Sequence, residues 1–164
     1  MDYLWSPWRF RYVSEGATRN HCPFCEMARQ DSTRDSEQYI LCRAHLNFAF
    51  LNLYPYTPGH ILVAPYAHAA SLSGLQDGVL AEMMALARQA ETALAAAYHA
   101  EGYNLGMNLG RCAGAGIADH LHLHCLPRWG GDTNFMSTVS ETRVLPEDLS
   151  TTYSKLVGLF QKSE

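Results

Sequence analysis

The chain has no cluster of basic residues, no long apolar run and no dense set of paired cysteines, and each absence removes a class of function. Twelve Lys and Arg stand against sixteen Asp and Glu, a formal net charge of -4. A general nucleic-acid binder advertises itself by clustered Lys and Arg, so no nucleic-acid partner is expected, although a small phosphate ligand held by backbone amides stays open. No segment approaches the ~20 apolar residues of a membrane span, and MDYLWSPWRFRYVSEG offers no apolar signal-peptide core. A cytoplasmic protein with no membrane partner is the default expectation. Cysteine is odd in number, five in all, and only Cys22 and Cys25 are closely spaced. That pattern argues against a disulfide framework.

What remains is a globular composition. Apolar and aromatic residues make up 48% of the 164 and charged ones only 17%, which excludes a disordered or coiled-coil chain. The length suits one domain over residues 1–164, read as an arm (1–20), a core (22–145) and a closing helix (146–162). Within the arm, Trp5 and Trp8 fall on no clean period and read as packing residues.

Short strands with turns between them dominate the core. YILCRA and NFAFLNL read as strands separated by a turn near Ala44 to Leu46, and YPYTPGH is a turn leading into the apolar strand ILVAPY. A short turn and helix is expected around Cys22 to Gln30. From Asp77 to Ala100, Leu80, Met83, Met84, Ala87, Leu94, Ala97 and Tyr98 recur at helical spacing, with Gly102 placed to end the helix and the methionines read as core. YNLGMNLG reads as a further strand. Pro146 to Lys162 reads as a helix with Leu149, Tyr153, Leu156, Val157 and Phe160 on one face. The expected fold is α+β: an antiparallel sheet with one long and at least one shorter helix packed on it.

The segment DHLHLHCLPRW carries the chemistry. In an extended strand His120, His122 and His124 share one face while Leu121, Leu123 and Cys125 share the other; a helix would scatter them. Three readings follow. The histidines could hold a catalytic zinc, which commonly also needs a carboxylate base, but Asp119 points to the opposite face. One imidazole could attack phosphorus while its neighbours position oxygens. Or all three could be satisfied polar residues on a sheet face. The adjoining loop favours the second, because Gly110, Gly114 and Gly116 let backbone N–H groups converge on an anion.

The run HLHLHCL resembles the alternating pattern of the histidine triad nucleotide-binding superfamily. LNLYPYTPGHILVAP is similar to that family's strand–turn–strand, and PRWGGDTNF to the segment after the triad. The WSPWR lead and this tail resemble the bacterial branch near dinucleoside polyphosphate hydrolases and phosphorylases, so the likeness runs from about Trp5 to Phe135. It implies a sheet of about five strands. It also implies that His122 is a nucleophile forming a nucleotidyl-histidine intermediate with its other nitrogen held by a backbone carbonyl. His124 then contacts a phosphate oxygen or leaving group, His60 orders the triad, Asn52 meets the ribose, and Asn108 and Gly116 lie at phosphate. Ile117 departs from the pattern, standing where many relatives carry Ser or Thr.

The resemblance also bears on CPFC. A redox pair would expect a preceding strand, which TRNHCPFC does not supply. In zinc-bearing members two further ligands come from positions matching His68 and His120, which implies a structural zinc on Cys22, Cys25, His68 and His120. His21 is a weaker candidate ligand, His45 and His99 read as surface or capping residues, and Cys42, Cys112 and Cys125 as small buried or loop residues. A homodimer is implied, as is an enzyme cleaving a dinucleoside polyphosphate such as diadenosine tetraphosphate at the α-phosphate. A nucleoside phosphoramidate hydrolase and a non-catalytic nucleotide-binding protein are the alternatives.

Overall fold

A computed structural model describes residues 21–132 and 147–160. The reading of the arm, of Pro146 and of the segment beyond Asp132 therefore lies outside the described residues. Five strands, β1 (Ile40–Arg43), β2 (Asn47–Leu51), β3 (Ile61–Pro65), β4 (Gly102–Gly106) and β5 (Leu123–Arg128), form one antiparallel sheet in the order β1-β2-β3-β5-β4. Among the described residues three α-helices accompany it: α1 (Pro23–Arg29), α2 (Asp77–Tyr98) and α3 (Leu149–Leu156). The expected α+β architecture is the observed one.

Period-two alternation sorts the sheet into two apolar faces. Ala49, Leu51, Ile61, Val63, Leu123 and Cys125 pack with α2 and α3 through Met83, Leu86, Leu94 and Leu156. Phe48, Phe50, Leu62 and Ala64 face the other way, onto Phe24 and Met27 of α1. Glu82 of α2 fixes the β1–β2 turn, accepting from the backbone N–H groups of His45 and Leu46 and from the Asn47 side chain. Among the described residues no helix is long and apolar enough to cross a membrane.

Several boundaries differ from the sequence reading. Helix α2 stops at Tyr98, where His99 takes the left-handed C-cap conformation at φ 49°; Gly102, expected as its terminator, instead opens β4. Met84 is 55% exposed and is not core, because the buried stripe runs through Val79, Met83, Leu86, Ala90 and Leu94. Strand β4 stops at Gly106, short of the expected Gly110. Helix α3 begins after Asp148, whose carboxylate accepts from Thr151 N, and it gives way to a 3₁₀ turn at Val157, which is exposed. Cys112 is also exposed, on the glycine-rich loop.

Candidate functional site

Strand β5 begins only at Leu123, so of the three alternating histidines His124 alone stands in the sheet ladder, opposite Leu62. The chain runs on in the same alternation before it. The His122 and His124 rings lie 4.9 Å apart on the α1 side, while Leu121, Leu123 and Cys125 are buried in the opposite core.

Hydrogen bonds fix the protons on this row. The Tyr56 backbone N–H can only donate, and it lies 3.1 Å from His60 Nδ1; Asn52 Nδ2 donates to the same atom at 3.2 Å. His60 Nδ1 therefore accepts, Nε2 carries the proton, and Nε2–H donates to His124 Nδ1 at 2.9 Å. His124 is left with its proton on Nε2. His122 is held the opposite way. Its Nδ1–H donates to the His120 carbonyl at 3.0 Å, so Nε2 bears the lone pair. Burial lowers the His122 pKa, and burial followed by the neighbouring His124 and His122 pushes His60 down to about 2. Both rings are neutral near pH 7.

One pocket borders both His122 and His124, and Asn52, Asn108 and Gly116 line it. Asn52 is partly committed within the protein, because its Oδ1 accepts from Tyr54 N at 2.9 Å while its Nδ2 holds His60. Gly114, at φ +88°, also lines the pocket and closes the 3₁₀ turn Arg111–Ala113; Gly110 stands at the far side of that turn. Ile117 presents an apolar wall at the position where the resemblance placed a Ser or Thr hydroxyl in many relatives.

His120 belongs to a different group. Its Nε2–H donates to Pro65 O at 2.9 Å, which turns the Nδ1 lone pair towards Cys22 Sγ at 3.2 Å, Cys25 Sγ at 3.5 Å and His68 Nδ1 at 3.3 Å. All four ligand atoms lie within 4.8 Å of one another, a group that could hold a metal ion. His21 is not part of it. Burial, the largest influence, raises the Cys22 thiol, so a thiolate there calls for a cation beside it. With His120 turned away from His122 and His124, the three histidines do not converge on one ion, which disposes of the catalytic three-histidine reading.

Sequence reasoning missed Phe24 and Tyr56. Phe24, between the two cysteines, sets its ring edge-on to both His120 and His122 at 5.4 and 5.0 Å, and lines the pocket with Met27. Tyr56 stacks on His124 at 6.1 Å as well as holding His60. The only local signals were their places within CPFC and YPYTPGH. Asp119, expected on the face opposite the histidines, has its carboxylate 3.8 Å from His68 Nε2.

A five-stranded antiparallel sheet, one long helix and a histidine row beside a glycine-rich loop define the class of fold and site. The chain belongs to the HIT domain family, whose model matches residues 33–131. It is 38% identical over 160 residues to an AP-4-A phosphorylase of Mycobacterium tuberculosis, covering 93% of this chain and 80% of that protein. It is 33% identical over 107 residues to the adenosine 5'-monophosphoramidase hnt1 of Schizosaccharomyces pombe, covering 65% of this chain and 74% of that one. Its fold superposes with a TM-score of 0.67 on a Zn-bound histidine triad family protein from Mycobacterium smegmatis, at 24% identity over 88% of this chain and 94% of the other.

Proposed function

We propose that this chain is an enzyme that cleaves dinucleoside polyphosphates at the α-phosphate through a covalent intermediate on His122. The observation that carries the reading is the opposed pair of tautomers at the pocket: a lone pair on His122 Nε2 beside a proton on His124 Nε2. The 38% identity to an AP-4-A phosphorylase supports the substrate class.

In this mechanism His122 Nε2 forms a bond to the α-phosphorus as the bond to the bridging oxygen breaks, and the nucleoside polyphosphate departs with that bond's electron pair. His124 Nε2–H hydrogen-bonds the departing oxygen. A polyphosphate leaves readily as an anion, so a neutral donor suffices, and His60 holds that donor in register. Asn108 and the backbone at Gly116 face the α-phosphate oxygens, and Asn52 the ribose. Water or inorganic phosphate then attacks phosphorus, releasing a nucleoside monophosphate or diphosphate and restoring His122. Phe24 and Met27 supply apolar surface for a base.

We read the Cys22, Cys25, His68 and His120 group as a zinc site. Zinc's usual bond lengths give tetrahedral ligand–ligand edges of about 3.3–3.8 Å. Four of the six ligand–ligand distances, at 3.2 to 3.5 Å, lie near that spacing, and all six are within 4.8 Å. Bound there, zinc supplies a cross-link between α1 and the segment carrying His122. The same reading carries a homodimer and a cytoplasmic location. Strand β4 is a sheet edge with Leu105 46% exposed, a surface suited to a second copy, and the free cysteines suit a reducing compartment.

Intact mass spectrometry of His124→Asn protein mixed with diadenosine tetraphosphate, beside His122→Ala, tests the nucleophile. An AMP-sized adduct absent from His122→Ala is expected. ADP released only when phosphate is added marks a phosphorylase, and AMP in water a hydrolase. The phosphoramidase relative favours a second reading, in which a P–N bond is broken at the same nucleophile. No adduct with any dinucleotide but one with adenosine 5'-phosphoramidate would establish it. Ligand binding with neither adduct nor turnover would leave a binding protein.

A further inference from the structure

The pocket raises an electrostatic question that its own lining does not answer. A dinucleoside tetraphosphate carries several negative charges, yet none of the residues lining the pocket is Lys or Arg. The described cations are mostly committed elsewhere. Arg34 pairs with Glu37, Arg43 with Asp35, Arg128 with Asp132 and Lys155 with Glu147. Among the described residues this leaves Arg29, Arg88 and Arg111 outside any ion pair. Arg88 lies on α2, which packs on the sheet face opposite the histidines, and Arg29 is the last residue of α1, with pocket-lining residues of that helix only before it.

Arg111 stands apart because the loop that carries it borders the pocket on both sides. Asn108 precedes it and Gly114 follows it, and both line the pocket. The intervening turn is closed by Gly114 N donating to Arg111 O at 2.9 Å and Ala115 N to Gly110 O at 3.3 Å, with Gly110 and Gly114 at positive φ. The backbone of Arg111 is therefore held in a defined place relative to the phosphate-facing glycines. Its side chain is exposed. A guanidinium is permanently charged and presents a planar fork of donors matched to phosphate oxygens.

We infer that Arg111 is a specificity-determining residue that holds the leaving polyphosphate, beyond the α-phosphate, and so favours long dinucleoside polyphosphates over substrates with a single phosphate. This inference rests on the polyphosphate reading above. A contact of this kind neutralises charge that accumulates on the departing group. A phosphoramidate, whose leaving group is an amine, presents nothing for it to hold. Exposure to solvent makes the effect sensitive to salt.

The test compares Arg111→Ala and Arg111→Lys with wild type on diadenosine tetraphosphate and on adenosine 5'-phosphoramidate. For the alanine variant kcat/KM on the tetraphosphate is expected to fall by about tenfold to a hundredfold, the range of one charge-assisted contact, and by a much smaller factor on the phosphoramidate. Lysine should restore most of the loss, and the difference from wild type should shrink as salt is raised. Equal losses on both substrates would mean that Arg111 only shapes the loop, and no loss on either would mean that it is idle; both overturn the inference. Calorimetric binding of diadenosine tetraphosphate and of AMP to His122→Ala protein, with and without Arg111→Ala, decides the matter independently of turnover. Weaker tetraphosphate binding with AMP binding little changed supports the inference, and any other pattern overturns it. A wild type that cleaves neither substrate overturns the catalytic reading, while this binding comparison still decides Arg111.

Discussion

His60 Nε2 donates to His124 Nδ1 across 2.9 Å, joining two buried rings 64 residues apart in sequence. The bond decides which nitrogen of His124 carries a proton, which in the proposed mechanism makes His60 a positioning residue. His60→Ala is expected to lower kcat by about tenfold to a hundredfold, as a small displacement of a reacting group does. Its pH–rate profile should also change shape, because the bond that fixes the His124 tautomer is lost. Single-turnover kinetics across pH 5 to 9 check both, and an unaltered profile counts against the relay.

Acid should destabilise the protein through the same ring. The His60 pKa falls from 6.5 to about 2 on folding, so below pH 6.5 the unfolded chain binds a proton that the native ring refuses. Stability is unaffected by this group above pH 6.5 and falls as the pH drops beneath it, by about 1.4 kcal/mol per pH unit once the unfolded ring is fully charged. Denaturant titrations at pH 7.5 and 5.0 should differ by about 1–2 kcal/mol more in wild type than in His60→Phe.

If the four-residue group holds zinc as proposed, removing it should loosen the pocket as well as the fold. Phe24 and Met27 line the pocket from α1, the helix preceded by Cys22 and containing Cys25. Chelation, or Cys25→Ser, is expected to lower the melting temperature by at least about 5 °C and to raise KM severalfold, with kcat less affected. Metal content by elemental analysis, melting curves and steady-state kinetics on the same samples check it.

Gly59 is the tightest point behind the site. It sits at φ +77°, and a Cβ there would lie 2.8 Å from Leu94 Cδ2 and 3.3 Å from Pro127 Cγ. Gly59→Ala should cost about 2–4 kcal/mol from left-handed strain plus overpacking. Because His60 is the next residue, activity should fall in samples that remain folded. Denaturant midpoints and turnover at low temperature separate the two effects.

The strands and the histidine row were legible because they rest on period-two alternation, a local property: Phe48 and Phe50 face one way, Ala49 and Leu51 the other. The end of α2 was not, because either His99 or Gly102 could have taken the left-handed conformation and only the geometry of the turn into β4 selects His99. Met84 was misplaced for a related reason, lying one position beyond the buried stripe through Met83. Asn52, His68 and Gly116 could be singled out because they sit inside a recognisable motif, and the structure places Asn52 and Gly116 at the pocket and His68 beside Cys25 and His120. The roles of Phe24 and Tyr56 depend on contacts made across the fold, at separations no pattern along the chain records.

The pairing of β3 with β5 has a consequence for how this chain acquires its chemistry. These two strands are neighbours in the sheet yet separated by α2, β4 and the glycine-rich loop. Until that large loop closes, His60 and His124 belong to separate pieces of chain and the bond between them is unmade. During synthesis the N-terminal hairpins can form first, but β5 is among the last strands to emerge. Contacts of such long sequence separation are slow to form. Reactivity towards phosphorus is thus a late event in folding, withheld from the nascent protein until its sheet is whole.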